Sequence, residues 1–152
     1  MIRRFSLSNP FGRVDSGSTA RPMARLSAVA FWLWSAAGGM QAALVWSGAG
    51  GGDAAFRGAT TGFALFFAGA AAILGVIQWR RPNRILPVFG LAWALYELSA
   101  FGVSLLVGAP PGVPGVPLWG GAAAAVVLLA CAVLHVGGLR GAAALAGGGV
   151  RV

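Results

Sequence analysis

"QWRRPNRILPVFGLAWALYELSAFGVSLLV", residues 78–107, decides how this chain folds. It opens on Arg80, Arg81 and Arg84 around a Pro-Asn pair, then runs apolar from Ile85 to Val107 with a single acidic residue, Glu97. A membrane helix needs about 20 mostly apolar residues. Pro and Asn inside a charged cluster punctuate helices. The stretch therefore reads as a turn at one membrane face that feeds a spanning helix.

The same pattern recurs on both sides of it. Leu26 to Ser47, Gly58 to Trp79 and Val116 to Leu139 are long enough and apolar enough to cross a bilayer. "GAGGGDAAFR" (48–57) and "GAPPGVPGVP" (108–117) supply the other two breaks. The whole chain agrees: 58% of its 152 residues are hydrophobic and 9% are charged, against roughly 25% charged in a soluble domain. Mean hydropathy is +0.81. Short connections place sequential helices as antiparallel neighbours. The expected fold is all-α: an integral membrane bundle of four antiparallel transmembrane helices.

Charge placement gives a direction. All eleven basic residues are arginine. With an even number of spans, Arg57 alone falls on one side and the other ten, 11 − 1, fall on the opposite side with both termini. Positive residues mark the cytoplasmic side. The expectation is a multi-pass protein of the bacterial cytoplasmic (inner) membrane, with both termini cytoplasmic. Trp46, Trp79 and Trp119 sit at predicted span ends, the usual level of an aromatic belt. The net charge of +8 flanks apolar runs and forms no tract with interleaved aromatics, which argues against a nucleic-acid partner. The partner is the lipid bilayer, with a second copy of the chain or another membrane protein as a further candidate.

Outside residues 23–140 the chain is polar or glycine-rich. Residues 1–22 lack a helical stripe and read as a flexible basic tail, and residues 141–152 as a loose C-terminal tail. Met23 is an alternative start, which would make the preceding segment a misassigned extension. The first span is longer than the 7–15-residue core of a signal peptide, so it reads as an uncleaved anchor.

A rise of 1.5 Å per residue sets the depth of each polar group. Glu97 lies about 18 Å in from Ile85, near the midplane of a core about 30 Å thick. Gln41 lies about 22 Å in along the first span, at nearly the same level. A charged side chain at that depth costs at least about 2.5 kcal/mol, so Glu97 is expected to face the bundle or a water-filled cavity. The Gln41 amide is the expected donor to it, and the Trp93 indole N–H, one turn below, is a second. Tyr96 brackets the level, and Ser104 lies two turns above on the same stripe as Gly90, Trp93, Ala94 and Glu97. These residues form the candidate polar site. His135 is a weaker candidate, about 6 Å from the cytoplasmic face and too far along the normal to meet Glu97. There it reads as a hydrogen-bonded boundary residue. Cys131 reads as a small core residue. Gly58 with Gly62, and Ala71 with Gly75, have the spacing of helix-packing pairs.

Glu97 has two readings, a proton-handling or ligand-binding carboxyl and a neutral acid acting as polar glue between helices. Catalytic templates are missing: no G-x-S-x-G, no P-loop, no H-E-x-x-H. One histidine and one cysteine fall short of a zinc site, and a haem between two histidines is excluded. No cofactor or metal is expected.

Within "QWRRPNRILPVFGLAWALYELS" (78–99), a charged turn leads into a span with an internal polar residue. This resembles the DoxX-like group of small four-helix bacterial membrane proteins, many without an assigned activity. The likeness is one of architecture and implies no catalytic residues. Small multidrug transporters also combine four short helices with a membrane-embedded glutamate. They carry it in the first span, and their balanced charge contrasts with the one-sided arginines here. Three functions follow: a non-enzymatic structural or accessory membrane protein, a proton- or cation-coupled transporter using Glu97, and a quinone- or lipid-binding accessory of a membrane oxidoreductase. The thin polar inventory favours the first.

Overall fold

A computed structural model describes residues 9–12, 14, 17–48, 52–107 and 118–147. Five helices follow in order: α1 (Gly17–Ala24), α2 (Leu26–Trp46), α3 (Ala54–Arg80), α4 (Ile85–Leu106) and α5 (Leu118–Ala146). Four apolar stretches among them are long enough to cross a membrane, the first running through α1 and α2 from Ser18 to Trp46. The described residues contain no strand. The connection over 108–117 and the chain ends lie outside the described residues.

Local chemistry sets the boundaries. Asp53 caps α3 by accepting a 2.8 Å hydrogen bond from the Phe56 N–H, which satisfies one of the donors a helix start leaves free. That cap starts α3 four residues before the expected Gly58. Gly52, just before it, has φ +81°, a left-handed conformation that glycine adopts without a Cβ penalty. At the α3–α4 turn, the Asn83 Oδ1 accepts from the Leu86 N–H at 2.9 Å. Pro87 follows in the first turn of α4, where its missing N–H costs nothing.

Helix extends into both segments that read as tails. Residues 17–24 form α1, whose Ala20, Met23 and Ala24 are buried. α1 packs on α5, which continues as helix to Ala146 with Gly141 and Ala142 buried. Lipid provides no hydrophobic drive between helices, so close approach of small residues does the work. Three small or slender side chains on α1 leave no long stripe in the sequence, yet they suffice against a glycine face. Arg140 on α5 also donates to the carbonyls of Pro10 (2.9 Å) and Gly12 (3.2 Å).

α2 and α5 form the middle of the molecule. α2 packs along α3 and α5, and α4 packs along α5. α3 and α4 do not pack along each other, although only residues 81–84 separate them. Neighbours in sequence are thus neighbours in space for α2 with α3 and for α4 with α5, but not across the arginine turn. Contacts fix the register: Arg25 donates to the Trp79 carbonyl at 3.3 Å, Gly75 lies against Trp32 and Ala28, and Gly38 against Ala68. Of the two small-residue pairs, Ala71 and Gly75 face α2, whereas Gly58 and Gly62 face open space.

Candidate functional site

Two polar groupings lie among the helices, and they differ in kind. The first surrounds Glu97. A cleft of about 220 Å³ between α3 and α4 has α2 at its back. α2 contributes Trp34, Gly38 and Gln41; α3 contributes Thr60, Phe63 and Phe67; α4 contributes Trp93 and Glu97. The two outer helices do not pack along each other, and aromatic rings bridge the gap between them. Phe67 stacks on Trp93 (5.7 Å, 30°), Trp34 lies 5.6 Å from Trp93, and Phe63 lies 4.6 Å from Phe67. Such pairs contribute about 0.5–1.5 kcal/mol each, enough to hold the walls in place.

The candidate residues divide. Glu97, Gln41 and Trp93 line this one cleft. The expected hydrogen bonds are absent: neither the Gln41 amide nor the Trp93 indole donates to Glu97, and among the described residues no hydrogen bond or ion pair reaches the carboxyl. The reason is the spacing of the helices. α2 and α4 touch at few points, and the Trp34–Trp93 pair stands between them. The Trp93 Nε1 is sealed from solvent without a partner. Tyr96 is exposed and turns to the other side of α4, beside Phe89 and Ala92. The Ser104 hydroxyl donates to its own helix, to the Ala100 carbonyl at 2.9 Å, and does not line the cleft.

The second grouping is a knot where α2, α4 and α5 meet. His135 is fully buried within the bundle. Its Nδ1 shares a 2.7 Å hydrogen bond with the Ser27 hydroxyl, and Phe31 meets the ring edge-on at 4.8 Å. Gly90 lies under the imidazole so closely that a Cβ there would collide with it. α5 continues two turns past the expected end of the span, and the start of α2 covers this part of it, which closes the histidine off. One turn away, the Cys131 thiol, also buried, donates to the Ala30 carbonyl at 3.4 Å. A serine–imidazole pair resembles a nucleophile with its base, but Ser27 and His135 are both closed to any substrate.

Ser27 and Thr60 carry no site reading in the sequence, and Gln78 reads there only as a polar residue at the end of the second span, near the level of His135. Gln78 is fully buried; its amide donates to the carbonyls of Ala24 and Asn83, and its oxygen accepts from the Asn83 N–H, each at 3.2 Å. It ties the arginine turn to the α1–α2 junction. The depth bookkeeping could have found Ser27, which stands level with His135 when the first and last spans run in opposite directions. Thr60 carries no comparable signal in "GATTGFALFF" (58–67).

Among the described residues, no cluster of histidine, cysteine or acidic side chains could hold a metal ion. No family model, no curated protein and no solved structure matches the chain. The four apolar helices make it a small multi-pass membrane protein. The Glu97 cleft is the one of its two polar groupings that a ligand can reach.

Proposed function

We propose that the protein is a non-enzymatic accessory of the bacterial cytoplasmic membrane that holds a small amphiphilic molecule in the cleft at Glu97. Both termini face the cytoplasm in this reading. The reversed order of contact pairs, Arg25 with Trp79 and Gly38 with Ala68, Ser27 with His135, supports an antiparallel bundle. The ten-to-one division of arginines supports the direction. Kinship with the DoxX-like group belongs to the same proposal and rests on architecture alone.

The observation that carries the reading is the convergence of Glu97, Gln41 and Thr60 with an aromatic wall on one cleft, with no partner on the carboxyl among the described residues. Ligand sites are apolar hollows with a few convergent polar groups. An intramembrane acid without a partner is by default a functional group. A protein that used Glu97 only as glue would bond it across helices, and here α2 offers Gln41 without making that bond.

Native mass spectrometry tests this on the full chain, released from its own membrane in mild detergent. A bound small molecule is expected on the wild type and lost in Glu97→Ala and Gln41→Leu. A wild type without bound mass, or the same bound mass in both variants, would remove the cleft from consideration.

A further inference from the structure

The cleft's lining points beyond binding to a ligand class. Among the described residues, Glu97 is the only ionisable one on its lining. The nearest arginine along the wall, Arg57, lies one turn before Thr60, and its guanidinium extends away to Gly48 at the end of α2. The carboxyl therefore has no counter-charge in the described protein. Around it stand the rings of Trp34, Phe63, Phe67 and Trp93, from three helices. Ring faces carry negative charge density and attract cations, tryptophan best, and several rings around a site are the usual means of holding an alkylated ammonium. The Trp93 N–H is sealed, so it is not a donor that a ligand in the cleft would meet. Carboxyl and ring faces thus favour the same sign of charge, and nothing on the lining opposes it.

We propose that the occupant is a small organic cation, an alkylated ammonium with an apolar or aromatic body, its charge beside Glu97 and its body against Trp34, Phe67 and Trp93. A neutral occupant of equal shape, such as a quinone ring, leaves the half-buried carboxyl uncompensated, whereas a cation supplies the missing partner. Gln41 and Thr60 each offer an oxygen that can accept from an ammonium N–H. The ligand class presupposes that the cleft binds a small molecule at all, as proposed above.

Phenyltrimethylammonium and tert-butylbenzene have nearly the same shape and differ in charge, which makes them the probes. Equilibrium dialysis uses the full chain in nanodiscs of uncharged lipid, with empty nanodiscs subtracting partition into lipid. The cation is expected to bind at least tenfold more tightly than its neutral isostere. Glu97→Gln should erase that preference and Glu97→Asp should keep it, so the second variant guards against a result caused by misfolding. Equal binding of the two probes, unchanged in Glu97→Gln, would overturn the cation assignment and leave the cleft as an apolar site. Failure of both probes, together with a wild type free of bound mass, would overturn the assignment and the cleft reading together.

Discussion

The two ends of this bundle are built to different standards. Around Ser27, Gln78, Gly90 and Gly138, every close approach is used. A Cβ on Gly75, Gly90, Gly137, Gly138 or Gly141 would collide with a neighbour. Gln78 has its amide and its oxygen bonded, and Ser27 and His135 are joined. Around Glu97 the helices stand apart. Gly38 on the cleft wall packs on Ala68, but Gly39, Gly58, Gly62 and Gly102, toward that end of their helices, face nothing within 4 Å, and Glu97 has no partner among the described residues. The difference shows which polar groups hold the fold and which are left for something else. Where helices touch, Ser27 and Gln78 are bonded by the protein, although the His135 Nε2 is sealed there without a partner among the described residues; where they splay, the Glu97 carboxyl is left without one.

One substitution made in both regions breaks the comparison most sharply. A Cβ at Gly138 would stand 2.9 Å from the Ser27 backbone nitrogen and 3.2 Å from its Cα, and backbone has nowhere to move. Gly138→Ala is expected to cost about 3 kcal/mol through overpacking. Gly62→Ala meets open space and improves helix propensity, so it should be neutral or stabilising by up to about 1 kcal/mol. Thermal unfolding in detergent, followed by circular dichroism, should give opposite signs for one chemical change. Equal effects would mean that the two regions are packed alike.

A smaller effect is expected at Gln78. Gln78→Leu strands the Asn83 N–H and the carbonyls of Ala24 and Asn83, at a cost of about 2 kcal/mol. The same unfolding measurement reads it, and a change below about 0.5 kcal/mol would mean that water or lipid head groups replace those bonds. The smallest effect belongs to Glu97. Glu97→Gln breaks no hydrogen bond within the protein, so stability should shift by less than about 0.5 kcal/mol while any bound molecule is lost. A large destabilisation would turn the carboxyl from a ligand group into helix glue.

The spans themselves were legible in the sequence to within a residue for α2 and α4. Runs of apolar residues broken by Gly, Pro and Arg leave few alternatives in a bilayer, because every backbone polar group must be bonded inside the span. α3 and α5 ran longer than expected, since the Asp53 cap and the "GAAALA" continuation (141–146) read as loop and tail. Depth bookkeeping put Glu97 and Gln41 at one level, and the two line one cleft. It could not foresee that no bond joins them, because depth says nothing about lateral distance. The full burial of His135 was hidden for a related reason. Its burial comes from the start of α2 laid across the end of α5, a contact between residues more than a hundred positions apart.

By itself the sequence determined that this chain has four helices long and apolar enough to span a membrane, with a carboxyl and an amide at matching positions along two of them, because hydropathy and helix rise are local or one-dimensional quantities. Only the tertiary structure decided that α3 packs on α2 while α4 packs on α5, that the gap between α3 and α4 is walled by aromatic rings, and that His135 is sealed whereas Glu97 is open. Those facts depend on which faces meet, and in a chain rich in glycine and alanine many faces permit close approach. Summed packing across the whole bundle selects among them, and no single stretch records the choice.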